Sequence, residues 1–153
     1  MHATVYQIAK EPIKEEDYIT ENDLPDWFWA KMDYADVVEE PYATKRCVCT
    51  GGRAGLHFDP DKRLLTVTDK TAYFRDKYDS FRNHAAKLAD CTLEEFVMGG
   101  PRMSMSVYCV QQTYNDEYDL YVYDEEGVLE TFDEWVRYGG ESAYIGAVLD
   151  YHY

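Results

Sequence analysis

Cys47 and Cys49 stand two residues apart, and on a strand that spacing aims both thiols at the same face. Thiols so placed bind zinc when two more ligands complete a tetrahedron, and the candidates are Cys91, Cys109, His57 and His84. None of them forms a second close pair, so Cys47, Cys49 and Cys109 read as small buried apolar residues and no metal site is assigned. A Cys/His nucleophile pair would require residues distant in sequence to meet. His2 and His152 lie at the termini, His57 precedes a turn, and His84 falls in a basic helix. Thr50-Gly51-Gly52-Arg53-Ala54-Gly55 lacks both the Gly-Lys-Ser/Thr of a P-loop and the G-x-G-x-x-G spacing, so it reads as a glycine turn with Arg53 beside it. Asp59-Pro60-Asp61 shares only its charge with a calcium loop. The sequence thus assigns no catalytic residue and no cofactor.

What remains is charge. Residues 1–40 carry eleven Asp/Glu against three Lys/Arg, residues 41–113 eight against eleven, and residues 114–153 eleven against one. Acidic ends flank a mildly basic middle, and the chain totals −15. Such a surface disfavours nucleic acid and anionic lipid as partners and favours a protein with a basic surface. The residues expected to make that contact are Glu15, Glu16, Asp17, Asp116, Glu117, Asp119, Asp124, Glu125 and Glu126.

Elements must bring these acids together. Thr4–Ala9 is rich in β-formers and reads as a first strand, followed by a polar loop over 10–23. A short helix near 25–32 starts at Pro25, and its consecutive Trp27, Phe28 and Trp29 cannot all face inward. Residues 45–50 and 64–68 read as strands, with 56–58 pairing onto 64–68 as a hairpin. Phe74, Tyr78, Phe81, Ala85 and Leu88 form one apolar stripe and predict a helix over about 72–89. Met103, Met105, Val107 and Cys109 alternate with polar residues, as do Tyr118, Leu120 and Val122. These predict two strands joined by a hairpin loop at 115–117. A turn at 124–127 and a strand over 143–149 complete the pattern.

Thr92–Gly100 and Thr131–Gly140 echo one another. Each sets Thr three residues before Glu and ends in Gly-Gly, predicting short capped helices near 93–98 and 131–138 that lead into β-type segments. Two instances of good helix chemistry account for the echo without a repeat architecture.

The expected fold is α+β: one domain over 1–153, with a mainly antiparallel sheet of five to seven strands. Met1–Tyr6 has no basic leader and no apolar run spans a bilayer, so the expected location is cytoplasmic, with reduced thiols. In charge and size, the chain resembles the acidic DNA-mimic inhibitors that phages and plasmids use against restriction and CRISPR nucleases. The resemblance implies a non-enzymatic binding protein that occupies the basic groove of a nuclease. Evenly scattered carboxylates would lie at roughly 270 Å² each, against about 110 Å² per charge on duplex DNA. Mimicry therefore requires the chain ends to adjoin. The alternatives are a regulatory interaction module whose acids only maintain solubility, and an enzyme whose site carries no recognisable motif.

Overall fold

A computed structural model describes residues 1–153. Seven strands form one sheet, joined by six helices. β1 (His2–Ala9) pairs antiparallel with the long β7 (Ser142–His152), so the first and last strands are neighbours. The Met1 ammonium reaches the Tyr153 carbonyl at 2.7 Å. On its other side β1 pairs parallel with β5 (Leu120–Tyr123), which is followed by β6 (Leu129–Thr131) at the edge. β3 (Leu56–Asp59) and β4 (Leu64–Val67) form the expected hairpin. β4 joins one end of β7, and β2 (Tyr34–Val37) joins the other. The order is β3-β4-β7-β1-β5-β6, with β2 on the β4 side of β7, and every pairing except β1–β5 is antiparallel.

Alternate residues of the central strands feed two cores. Tyr6, Ile8, Leu120, Val122, Ile145 and Val148 face α2 (Tyr42–Gly51) and α6 (Phe132–Arg137). Val5, Tyr121, Leu149 and Tyr151 face the N-terminal segment, where Ile19, Leu24 and Phe28 cover them. That segment holds single-turn 3₁₀ helices at Glu15–Asp17 and Glu21–Asp23 and then α1 (Asp26–Trp29). Of the three consecutive aromatics, Phe28 is buried, Trp29 half-buried and Trp27 exposed. Gln7 ties the segment down: its amide donates to the Asp17 carbonyl and accepts from the Ile19 and Ala147 amides at 2.9–3.2 Å.

Two predicted strands are helices. Residues 45–50 lie in α2, where Ala43, Cys47 and Thr50 are buried at helical spacings of four and three. The Glu40 carboxylate accepts from the Thr44 amide in its first turn. Residues 103–109 lie in α5 (Pro101–Tyr114), where Pro101 occupies the first turn and needs no helical partner for its missing N–H. The alternating Met and Ser pattern there coincides with a helical stripe at Met103, Ser106, Val110 and Thr113, the face with restricted exposure. Residues 115–117 accordingly connect a helix to β5, and the true hairpin is β5–β6 around the 124–127 turn.

The long helix α3 (Lys70–Ala89) starts at an Asp69 cap. It packs directly on α5, to which the short α4 (Leu93–Met98) connects it, forming an arm beside the sheet. The Thr-x-x-Glu echo is real at the level of hydrogen bonds. Thr92 accepts from the Glu95 amide and Thr131 from the Glu134 amide. Only the second copy leads into a strand; the first leads into α5.

Candidate functional site

The Asp124–Gly127 turn is shaped from within. The Asp124 carboxylate accepts from the Glu126 and Val128 amides, both at 2.9 Å, and Gly127 adopts φ +79°. This directs Glu125 and Glu126 outward, beside the end of β1, where Glu125 accepts weakly from the Lys10 amide at 3.4 Å. Glu130 on β6 and Glu141 before β7 complete a cleft of about 430 Å³. Lys10 is the only Lys or Arg lining it. Trp135 and Tyr138 of the α6 segment supply an aromatic wall. Gly140 lies flat on the Trp135 ring, where a Cβ would sit 2.4 Å from ring atoms, and Trp135 also packs on Phe132.

Burial first, then the Glu134 and Asp124 carboxylates, hold the Glu130 acid above the usual glutamate range. The cleft therefore has a surplus of negative charge that the protein itself leaves unneutralised. Glu130 also lines a smaller depression with Trp27, Lys31, Glu117 and Glu134, so acid continues past the short edge strand. No three His, Cys, Asp or Glu converge as a metal site requires. The chemistry that fits carboxylates beside an exposed aromatic face is an ammonium or guanidinium.

The nine predicted contact residues divide between the two ends of β5. Asp124, Glu125 and Glu126 stand at one end. Glu15, Glu16 and Asp17 lie on the opposite sheet face near the same end of β1, anchored through Gln7. Asp116, Glu117 and Asp119 stand at the other end of β5, about 16 Å away at roughly 3.3 Å per residue. Each of these three is engaged internally. Asp119 forms a two-pronged pair with Arg53, and Glu117 accepts from Lys31 at 2.9 Å. Asp116 accepts from the Tyr118 amide at 3.0 Å, and its acid is raised chiefly by burial. Sequence reasoning missed Glu130, Glu141, Trp135 and Tyr138, because β6 is too short to announce itself and the register of β7 is not local information.

A larger cleft of about 620 Å³ lies between α2 and the strands at the opposite end of β1. It holds Lys45, Arg46 and Arg53, three of the eleven Lys/Arg of the middle segment. Two of these cations are already matched. Arg46 pairs with Asp150 at 2.8 Å and donates to Thr4, while the Asp119 hydrogen bonds hold Arg53 charged well above its ordinary range. Tyr6 shares a 2.8 Å hydrogen bond with Thr50, and burial pushes its hydroxyl upward. The expected same-face thiols separate here: Cys47 is buried under α2, whereas Cys49 is exposed and lines the cleft. Cys91 and Cys109 lie in the arm, so the four thiols are free and dispersed.

Comparison with known proteins decides nothing further. The chain matches no family model, no curated protein and no solved structure. No helix is long and apolar enough to cross a membrane. With a surface of 9344 Å², thirty evenly spread carboxylates would hold about 310 Å² each, far more dilute than the ~110 Å² per charge of duplex DNA. Local convergence, as at the 124–141 cleft, is what distinguishes this surface from a uniformly solvated one.

Proposed function

We propose that this chain is a non-enzymatic acidic binding protein whose 124–141 cleft receives lysine or arginine side chains from a basic partner. The partner class is a nucleic-acid-binding protein, such as a restriction or CRISPR nuclease, whose groove the acidic face occupies. The observation that carries this reading is that Asp124, Glu125, Glu126, Glu130 and Glu141 line one cleft in which Lys10 is the only basic residue. The exposed Tyr138, beside the packed Trp135, adds a ring face that attracts a cation. Glu15, Glu16 and Asp17 add to the negative field from the opposite sheet face and steer approach. Glu117 and Asp119 have structural partners and serve the fold more than the contact.

The test is affinity capture from cells expressing restriction or CRISPR nucleases, with wild type and a Glu125→Lys/Glu126→Lys/Glu130→Gln variant as paired baits. The reading expects a basic nucleic-acid-binding protein on the wild-type bait alone. It also expects DNA to compete for that partner and binding to weaken steeply with salt. Recovery that is equal on both baits, or unchanged from low to high salt, would sink it.

A further inference from the structure

α5 carries no Asp, Glu, Lys or Arg from Met103 to Tyr114, in a chain that is 29% charged. Its inward stripe packs on α3, yet Met105, Val107, Tyr108 and Tyr114 remain exposed on its flanks. At the arm tip, Leu93, Phe96, Val97 and Met98 of α4 are 71–79% exposed. Charge-free helix faces rich in Met and Tyr are the composition of an interface core, not of a solvated helix.

The base of the arm carries a complementary feature. Phe74 and Tyr78 line a mostly apolar depression of about 430 Å³ on α3, rimmed by Lys70 and Arg75. The tip offers apolar side chains with Glu94 among them. Along α3, Phe74 at the base lies about 22 Å from the helix end at Ala89, where the tip begins. Two arms laid antiparallel about a two-fold axis therefore set each tip on the other's base, making the same contact twice.

We propose that a second copy of this chain docks on the arm in this antiparallel way. Charge complementarity between tip and base fits a second copy: Glu94 at one tip matches the Lys70 and Arg75 rim at the other's base. Residues 70–114 hold six Lys/Arg against five Asp/Glu, a net +1, which leaves −16 on the rest of the chain. Contact through the body would press like charges together. An antiparallel arm pair instead holds the bodies at opposite ends, on the order of 30 Å apart and beyond the ~8–10 Å screening length. The four tip side chains with Tyr78 and Tyr114, on the flank where Arg137 stacks on Phe74 and Tyr114, present on the order of 750 Å², close to the roughly 800 Å² per partner of a standard stable interface.

Sedimentation equilibrium of the full chain over a concentration series tests this. The expected mass is twice the 17.9 kDa of one chain. Phe96→Glu, on an exposed tip position, should weaken the dimer at least about tenfold without changing the circular dichroism spectrum. Arg75→Glu should also weaken it, and Arg75→Glu with Glu94→Arg should restore it. Glu125→Lys/Glu126→Lys, in the separate acidic cleft, should leave the dimer intact. A chain monomeric at every concentration overturns the proposal, as does a dimer indifferent to Phe96→Glu. A chain that is monomeric alone but captures another protein through Phe96 assigns the arm to a heterologous partner and likewise overturns it.

Discussion

Lys77 places its Nζ 2.8 Å from both carboxylate oxygens of Asp133, joining α3 to α6 across 56 residues of sequence. Asp133 is only 2% exposed and also accepts from the Tyr73 hydroxyl at 2.8 Å and the Asp116 amide at 3.0 Å. One carboxylate thus anchors the arm, the α5–β5 connection and the edge of the sheet. A buried charge is tolerable only when its hydrogen bonds are complete, and here they are.

Removing that acceptor breaks four hydrogen bonds from three donor groups at once. Asp133→Ala is expected to destabilise the chain by about 3–5 kcal/mol, read as a lower urea midpoint. Lys77→Met should cost less, because the Tyr73 and Asp116 donors remain. A double-mutant cycle with Asp133→Asn should return a coupling above about 1 kcal/mol. Additive losses would show that the two groups do not act as a pair.

The raised Glu130 acid makes a pH-dependent prediction. A folded-state value above the unfolded one means that the folded chain binds this proton more tightly. The contribution to stability is then fully present below the ordinary glutamate value and disappears as pH rises through the raised one. Glu130→Gln removes the unfavourable charge, so its Tm should exceed wild type by roughly 1–3 °C near neutral pH. The advantage should vanish below about pH 4, where wild-type Glu130 is protonated. A difference that persists unchanged in acid would mean that charge is not its source.

Two glycines flanking the α2–β3 turn should respond oppositely to alanine. Gly55 sits at φ +73° with its carbonyl accepting from the Thr68 and Asp69 amides. A Cβ there would fall 2.0 Å from the Asp69 carbonyl oxygen and 2.7 Å from the Tyr73 nitrogen. Gly55→Ala should therefore cost at least about 2 kcal/mol and loosen the start of α3. Gly52 has φ −81° and nothing closer than 3.5 Å to its added Cβ, so Gly52→Ala should change stability by less than about 0.5 kcal/mol. Thermal melts of the two variants check the contrast, and similar losses would contradict it.

The elements that periodicity made legible are those with a single strong stripe. Phe74, Tyr78, Phe81 and Leu88 predicted α3, and the Thr-x-x-Glu caps located α4 and α6 to within a residue or two. Residues 103–109 misled because Met-Ser-Met-Ser alternates at period two while its burial follows period three to four, and only the neighbouring helix decides between them. Residues 45–50 misled because Val48 and Thr50 are β-formers in a segment whose helix is held by Pro41 and Glu40 outside it. The candidate cleft was half legible. Asp124, Glu125 and Glu126 are contiguous in sequence, whereas Glu141 and Trp135 arrive through the pairing of distant strands.

Cys47 and Cys49 provide the sharpest chemical readout of the helical state of α2. Strand geometry would give the two thiols a common face and similar reactivity. The helix turns each residue by about 100°, so two positions differ by roughly 200°. Cys47 enters the core under α2 and Cys49 points to solvent. Burial pushes the Cys47 thiol up to about 12, so at pH 8 only about one molecule in ten thousand carries its thiolate. Iodoacetamide applied to the native chain at that pH should modify Cys49 rapidly. It should leave Cys47 at least about a hundredfold slower until denaturant is added, with Cys91 and Cys109, half-buried in the arm, between the two. Peptide mass spectrometry over a time course measures each site separately. Equal rates at Cys47 and Cys49 would mean that α2 does not dock on the sheet.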